Sequence, residues 1–212
     1  MLKSPKRRST TVRRGAKSRQ SGMSLIELMI AMTVLAVGML GAVVMILAGV
    51  QSNTRNKTDT TAVVLDQEVL EMFATLTNYP TTGNVVINDC GLNGANAHNA
   101  SLVWGTAAAG GAGAVLYTAA NAPLPSQVGD INWTAAAPTF ATPTVTGYAM
   151  KYQTCNGDTY EVRWNIMKVN ANASGLSRIS LLTVSSRQTA AAGAHASILF
   201  SNPKTLRTLI ED

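Results

Sequence analysis

Charge is scarce in this 212-residue chain: Asp, Glu, Lys and Arg together make up 13% of it, against roughly a quarter in an ordinary soluble domain. Self-similarity at solenoid or propeller periods is missing, as are sustained heptads and Gly-X-Y triplets. No repeat, long coiled-coil or collagen-like architecture is therefore evident. Only two cysteines and two histidines are present, and they form neither a Cys-x-x-Cys nor a His-x-x-x-His spacing, so the usual zinc patterns are lacking. Gly110-Gly111-Ala112-Gly113 lacks the Lys-Ser/Thr of a phosphate-binding loop and the strand–helix setting of a dinucleotide fingerprint; it reads as a flexible loop. Beyond residue 53 the acids are scattered, and no Ser/His/Asp set or carboxylate pair is placed by sequence. No enzyme, cofactor or metal site is expected. The length suits one domain plus an appendage, with a real core.

The positive charge has a definite place. Lys3, Lys6, Arg7, Arg8, Arg13, Arg14, Lys17 and Arg19 all fall within residues 1–22, which contain no acid. The rest carries nine cations against eleven acids, a balance of −2. The overall +6 and the pI near 9.6 therefore describe an arm and not a surface. Phosphate backbones are held by clustered Lys and Arg, so no nucleic-acid partner is expected.

After the arm, no charged side chain occurs between Glu27 and Arg55. Residues 28–50 are Leu, Met, Ile, Val and Ala, broken only by Thr33, Gly38, Gly41 and Gly49. As a helix these 23 residues span roughly 34 Å, enough for a hydrocarbon core of about 30 Å. The apolar part of a secretory signal is shorter, and no Ala-x-Ala site follows. The segment is expected to stay as a single membrane pass. Eight cations on its N-terminal side put the arm in the cytoplasm and the C-terminal bulk outside.

Glu27 does not suit a plain anchor, because an unpaired carboxylate at the start of an apolar helix is costly. One reading is an acid at headgroup level. The other needs a cationic partner. Arg19-Gln-Ser-Gly22-Met23-Ser24-Leu25-Ile26-Glu27 resembles the processing site of type IV prepilins: a basic leader, a Gly, a hydrophobic residue, Ser, two aliphatics and Glu, opening into the apolar run. The resemblance covers about residues 15–50. It implies cleavage between Gly22 and Met23 by a prepilin peptidase and N-methylation of Met23, where Phe is the usual residue. Gly22, lacking a Cβ, lets a protease approach the chain closely. Cleavage creates an ammonium four residues before Glu27, and in a filament a neighbour's ammonium could pair with that carboxylate. Glu27 would then mark the register of assembly.

The apolar stripe Ala62, Leu65, Val69, Met72, Phe73 and Leu76 extends the helix beyond the membrane, with Asp66, Glu68 and Glu71 lying mostly off it. Asn78-Tyr79-Pro80 stops it. Residues 81–146, rich in Ala, Gly, Thr, Asn and Pro with apolar patches at 85–87 and 114–117, read as a long, partly irregular connecting region. From residue 147 the period becomes two. Tyr148-Ala-Met150-Lys-Tyr152, Tyr160-Glu-Val162-Arg-Trp164-Asn-Ile166 and Ile179-Ser-Leu181-Leu-Thr183-Val184 are three strands, with a tight turn at Asn156-Gly157-Asp158. The expected fold is α+β: a long N-terminal helix packed on a C-terminal antiparallel sheet. Its divisions are a cleaved leader at 1–22, a transmembrane and assembly helix at 23–52, an amphipathic extension at 53–77, and a globular domain at 78–212 with its sheet at 147–187. The aromatic strand at 160–164 with its following Ile/Leu/Val strand looks like the final sheet of minor pilins of the pilus-modification type; the Ala-rich tail has no counterpart there.

Cys90 and Cys155 both fall in the exported part, where a disulfide can persist. Closing that separation of 65 contributes roughly 4 kcal/mol on the chain-entropy model. The alternative is a metal held by both thiolates with His98 or His195, which otherwise read as solvated. Sequons at Asn99, Asn132 and Asn172 are expected to be unmodified. The leading expectation is a minor structural subunit of a type IV pilus. It would sit in the bacterial inner membrane with a periplasmic domain and then reach the cell surface. Its partners would be other pilin subunits, prepilin peptidase/N-methyltransferase and the inner membrane. The alternatives are a type II secretion pseudopilin, or a membrane-tethered adhesin presenting a site on residues 81–146.

Overall fold

The computed structural model describes residues 22–75, 83–91, 96–141, 147–169, 179–189 and 202–211. The chain divides into two compact units, Met1–Gly49 and Val50–Asp212. Helix α1 (Leu25–Ala74) contributes to both. In the first unit it starts where the Ser24 carbonyl accepts hydrogen bonds from the amides of Glu27 (3.0 Å) and Leu28 (3.1 Å). Residues 25–49 are exposed on every side although nearly all are apolar. A helix apolar all round and buried against nothing in its own chain is suited to lipid or to partner helices. Its lone hydroxyl, on Thr33, donates to the Ile30 carbonyl at 2.8 Å, as a hydrocarbon environment requires.

In the second unit, residues 50–74 of α1 bury Thr58, Ala62, Leu65, Asp66, Val69, Leu70 and Phe73. The expected stripe is present at Ala62, Leu65, Val69 and Phe73, with Met72 packed at its margin; Leu76 and Pro80 lie outside the described residues. Asp66 is a correction. It was expected off the stripe, yet it is fully buried within it, because helical spacing places residue 66 between Ala62 and Val69 whatever its polarity.

The sheet under the helix is mixed and has six strands: β3 (Gly105–Thr106), β4 (Ala112–Gly113), β5 (Ala149–Gln153), β6 (Thr159–Val169), β7 (Ile179–Gln188) and β8 (Lys204–Glu211). The antiparallel pairs β5–β6, β6–β7 and β7–β8 form a meander, and Gly157, at φ +86°, turns the chain between β5 and β6. The second edge of β6 is covered in relay. β5 takes residues 159–163, β4 takes Asn165 and Ile166, and β3 runs parallel to Met167 and Lys168. A separate antiparallel hairpin joins β1 (Asn84–Asp89) and β2 (Asn96–Ser101).

Strands β1 to β4 all lie in the segment expected to be partly irregular. The Gly110–Gly113 run is likewise a defined turn and not a loose loop. The Asn165 amide donates to the carbonyls of Gly110 (3.0 Å) and Ala114 (2.9 Å). Gly113 sits at φ +123°, where any side chain would collide with the Trp164 carbonyl.

Strand β6 is buried on both faces. Tyr160, Val162, Trp164 and Ile166 join the core with Leu65, Val69 and Phe73 of α1 and with Ile87, Leu182 and Val184. Trp164 is central: its ring lies 5.6 Å from Phe73 and 6.5 Å from Tyr148, and its indole N–H donates to the Ser101 carbonyl at 3.1 Å. Trp164→Ala is expected to lower the unfolding free energy by about 3–5 kcal/mol, measured by denaturant titration of the full chain in detergent. A loss below about 1 kcal/mol would show that the layers are held elsewhere.

Candidate processing and assembly site

Of the segment that carries the sequence motif, the described residues from Gly22 to Glu27 are exposed. Gly22 has open space where a Cβ would stand, and Met23 is 69% exposed. Glu27 is the acid of the first turn of α1 and is also exposed. Ser24 and Glu27 have the Ser-x-x-Glu spacing of a capping box, and an anion in the first turn suits the positive end of a helix. Locally, then, Glu27 has a reason to sit where it does before any partner arrives. A bond at Gly22–Met23, exposed and outside regular secondary structure just ahead of a helix, is also what a protease can reach.

The other candidate residues lie in the C-terminal unit, where distant strands bring them together. Cys90, directly after β1, is joined by a disulfide to Cys155 in the β5–β6 turn, with Cα atoms 4.8 Å apart. The Cys90 amide also donates to the Gln153 carbonyl at 2.9 Å. With both sulfurs joined, they are not available as thiolate ligands.

His98 is a correction, since it is buried and not solvated. Its Nε2 is 3.0 Å from Asp89 Oδ2 and its Nδ1 is 2.9 Å from the Ala141 carbonyl. Both ring nitrogens face acceptors, so both hydrogen bonds form only when both carry hydrogen. Burial pushes the Asp89 carboxyl up, but N–H groups of Gln153, His98 and Gly91 outweigh it and hold it below its ordinary value. His195 and Asn172 lie outside the described residues.

On the face of β6 away from α1, sequence reading missed a buried charged cluster. Glu161 accepts from Arg163 (Nε 2.8 Å, NH2 2.7 Å) and from Arg187 (3.1 Å). Both guanidiniums stack on Trp133, at 4.4 and 4.3 Å from its ring centre. The Trp133 indole donates to Ser185 Oγ at 3.0 Å. The signal was available in the alternation Glu161-x-Arg163 within an apolar strand, but Trp133 and Arg187 are remote in sequence. Next to it, Asn132 is buried and its side-chain oxygen accepts from the Thr134 amide and hydroxyl. That geometry leaves the sequon asparagine closed to an enzyme. The groups of this unit hold strands and loops together.

Comparison with known proteins bears on the N-terminal segment alone. A family model described as the prokaryotic N-terminal methylation motif matches residues 17–43. The match covers the end of the basic arm, Gly22, Met23, Glu27 and the apolar helix as far as residue 43. No curated protein and no solved structure matches the chain. The chain thus carries a type IV prepilin-like leader and methylation motif, and the motif together with its apolar helix points to membrane anchoring.

Two outcomes test the C-terminal unit. Denatured, unreduced protein should take up no thiol-alkylating reagent, and reduced protein should take up two equivalents per chain. Glu161→Gln should cost about 3–5 kcal/mol by denaturant titration, because Arg163 stays buried without its carboxylate.

Proposed function

We propose that the chain is a minor structural subunit of a type IV pilus, acting in filament assembly or priming and not in catalysis. The observation that carries this reading is the methylation motif over residues 17–43, set on a helix whose apolar residues 25–49 find no burial within the chain. A prepilin peptidase cuts between Gly22 and Met23 and the new amine is methylated. Residues 25–49 hold the subunit in the inner membrane and then pass into a bundle of like helices. The Glu27 carboxylate pairs there with the ammonium of a neighbouring subunit. The C-terminal unit stands on the periplasmic side and then at the pilus surface. The related assignment, a pseudopilin of a type II secretion system, shares every step up to the filament. Deleting the gene separates the two: lost surface fibres support the pilus, and lost secretion with intact fibres overturns it in favour of the pseudopilus.

Processing and assembly are tested by two substitutions. With Gly22 replaced by a bulky residue, the leader should remain attached in the mass spectrum of the membrane protein; a product beginning at Met23 would reject the cleavage site. Glu27→Gln removes charge and keeps shape. It should insert and be cleaved normally, then accumulate in the membrane and be depleted from sheared fibres. Loss of one partner of a buried pair costs about 3–5 kcal/mol, and 3 kcal/mol is more than a hundredfold in incorporation. Normal levels in fibres would leave Glu27 as a helix-capping acid and reject the pairing for a subunit within the shaft.

A further inference from the structure

One acid is out of keeping with the seam between α1 and the sheet. Asp66 lies on the face shared by Ala62, Val69 and Phe73, it is wholly buried, and neither carboxyl oxygen makes a hydrogen bond. Buried carboxylates are ordinarily paired or hydrogen-bonded. The neighbouring hydroxyl, Ser186 of β7, is committed to the Ala62 carbonyl at 3.0 Å, one turn earlier on the helix.

The charged groups near the seam are engaged or turned away. On α1, Glu68 and Glu71 are exposed, and Asp59 is bound at 2.8 Å by Lys204 Nζ of β8. On this face β7 contributes Val184 and Ser186, and β6 contributes Tyr160, Val162 and Trp164. Lys204 stands opposite Ser186 in the β7–β8 register, which makes it the nearest cation by strand position, but its ammonium is held by Asp59. Among the described residues, then, the fold provides Asp66 with no counter-charge.

We propose that Asp66 is a proton-sensitive latch between α1 and β7: uncharged, it is tolerated in the dry seam, and ionised, it draws water in and loosens residues 62–73 from the sheet. The proposal goes beyond the assembly role and does not depend on it. Burial pushes the Asp66 carboxyl up to about 7; the Ser186 hydroxyl and amide lie near enough to offset part of that rise without forming a hydrogen bond of ordinary geometry to either oxygen. In the unfolded chain an aspartate titrates near pH 3.9. Between roughly pH 4 and pH 7 the folded chain therefore holds a proton that the unfolded chain has lost, and stability falls as pH rises through that window. Above it the loss is complete and level. Carboxylates such as Asp89, held below the ordinary value, act the other way and in a lower range, so they do not mimic the effect.

The test is denaturant unfolding of the full chain in detergent micelles from pH 4 to 9, followed by tryptophan fluorescence, for the natural protein and Asp66→Asn. The ratio of the two unfolding constants should change by about tenfold per pH unit between pH 4 and 7, in favour of the variant as pH rises, and stay constant above. A ratio independent of pH overturns the proposal. Should Asp66→Asn fail to fold, the natural protein decides alone. Its infrared spectrum should show the carbonyl band of a protonated carboxylic acid at pH 6 that vanishes by pH 9. Amides of residues 62–73 should lose protection against hydrogen exchange above pH 7, after correction for intrinsic rate, while those of β6 and β7 keep it. A seam with no acid band at pH 6, or with unchanged protection, is not a latch.

Discussion

Trp164 donates its indole hydrogen to the Ser101 carbonyl of β2, lays its ring against Phe73 of α1, and receives the Ala114 amide on its own carbonyl. Three parts of the C-terminal unit that share no local sequence thus meet at one residue: the helix and the β1–β2 hairpin at its side chain, and the glycine turn that feeds β4 at its backbone. A bulky aromatic with a single polar hydrogen suits this place, since it fills volume and its N–H has a fixed direction. The neighbouring glycines follow from it, because Gly113 must pass against the Trp164 backbone.

The two faces of the sheet solve burial differently. Toward α1 the buried residues are mostly apolar, the exceptions including Thr58, Asp66, Ser180 and Ser186. On the opposite face Glu161, Arg163 and Asn165 are just as buried, and there each charge is answered. Glu161 serves two guanidiniums, and both also lie against the Trp133 ring. A buried ion pair of this kind specifies an arrangement more than it stabilises one. It fixes residues 130–135 over β6. Asp66, by contrast, sits in the apolar layer without an answer.

Legibility in the sequence tracked how local the determining pattern was. Gly22, Met23 and Glu27 fall within six residues of one another ahead of an uninterrupted apolar run, so the motif could be read without a fold. Strands β5, β6 and β7 were readable because Tyr, Val, Trp and Ile alternate through them. Strands β1 and β2 were not, because Asn-Val-Val-Ile-Asn-Asp and Asn-Ala-His-Asn-Ala-Ser carry the composition of a loop. Their strand character comes from pairing with each other. His98 looked solvated because its acceptors, Asp89 and Ala141, lie 9 and 43 residues away. Asp66 differs for another reason: its polarity suggests the solvent face, whereas helical geometry alone decides which face a position occupies.

The relay along β6 bears on how the unit acquires its structure. β5 reaches β6 through a five-residue turn, and that hairpin closes at little cost in chain entropy. β4 and β3 must cross more than fifty residues to reach Asn165 and Met167, and such long-range pairing is slow because the loop is closed before the contacts reward it. Chain entropy accordingly favours closing the hairpin 149–169 over those longer-range pairings. The stretch of β6 at residues 165–168 waits longest for its neighbours. Until the glycine turn arrives, that stretch, Asn165-Ile166-Met167-Lys168, presents an unpaired strand edge, the kind of surface on which two incompletely folded chains adhere to each other.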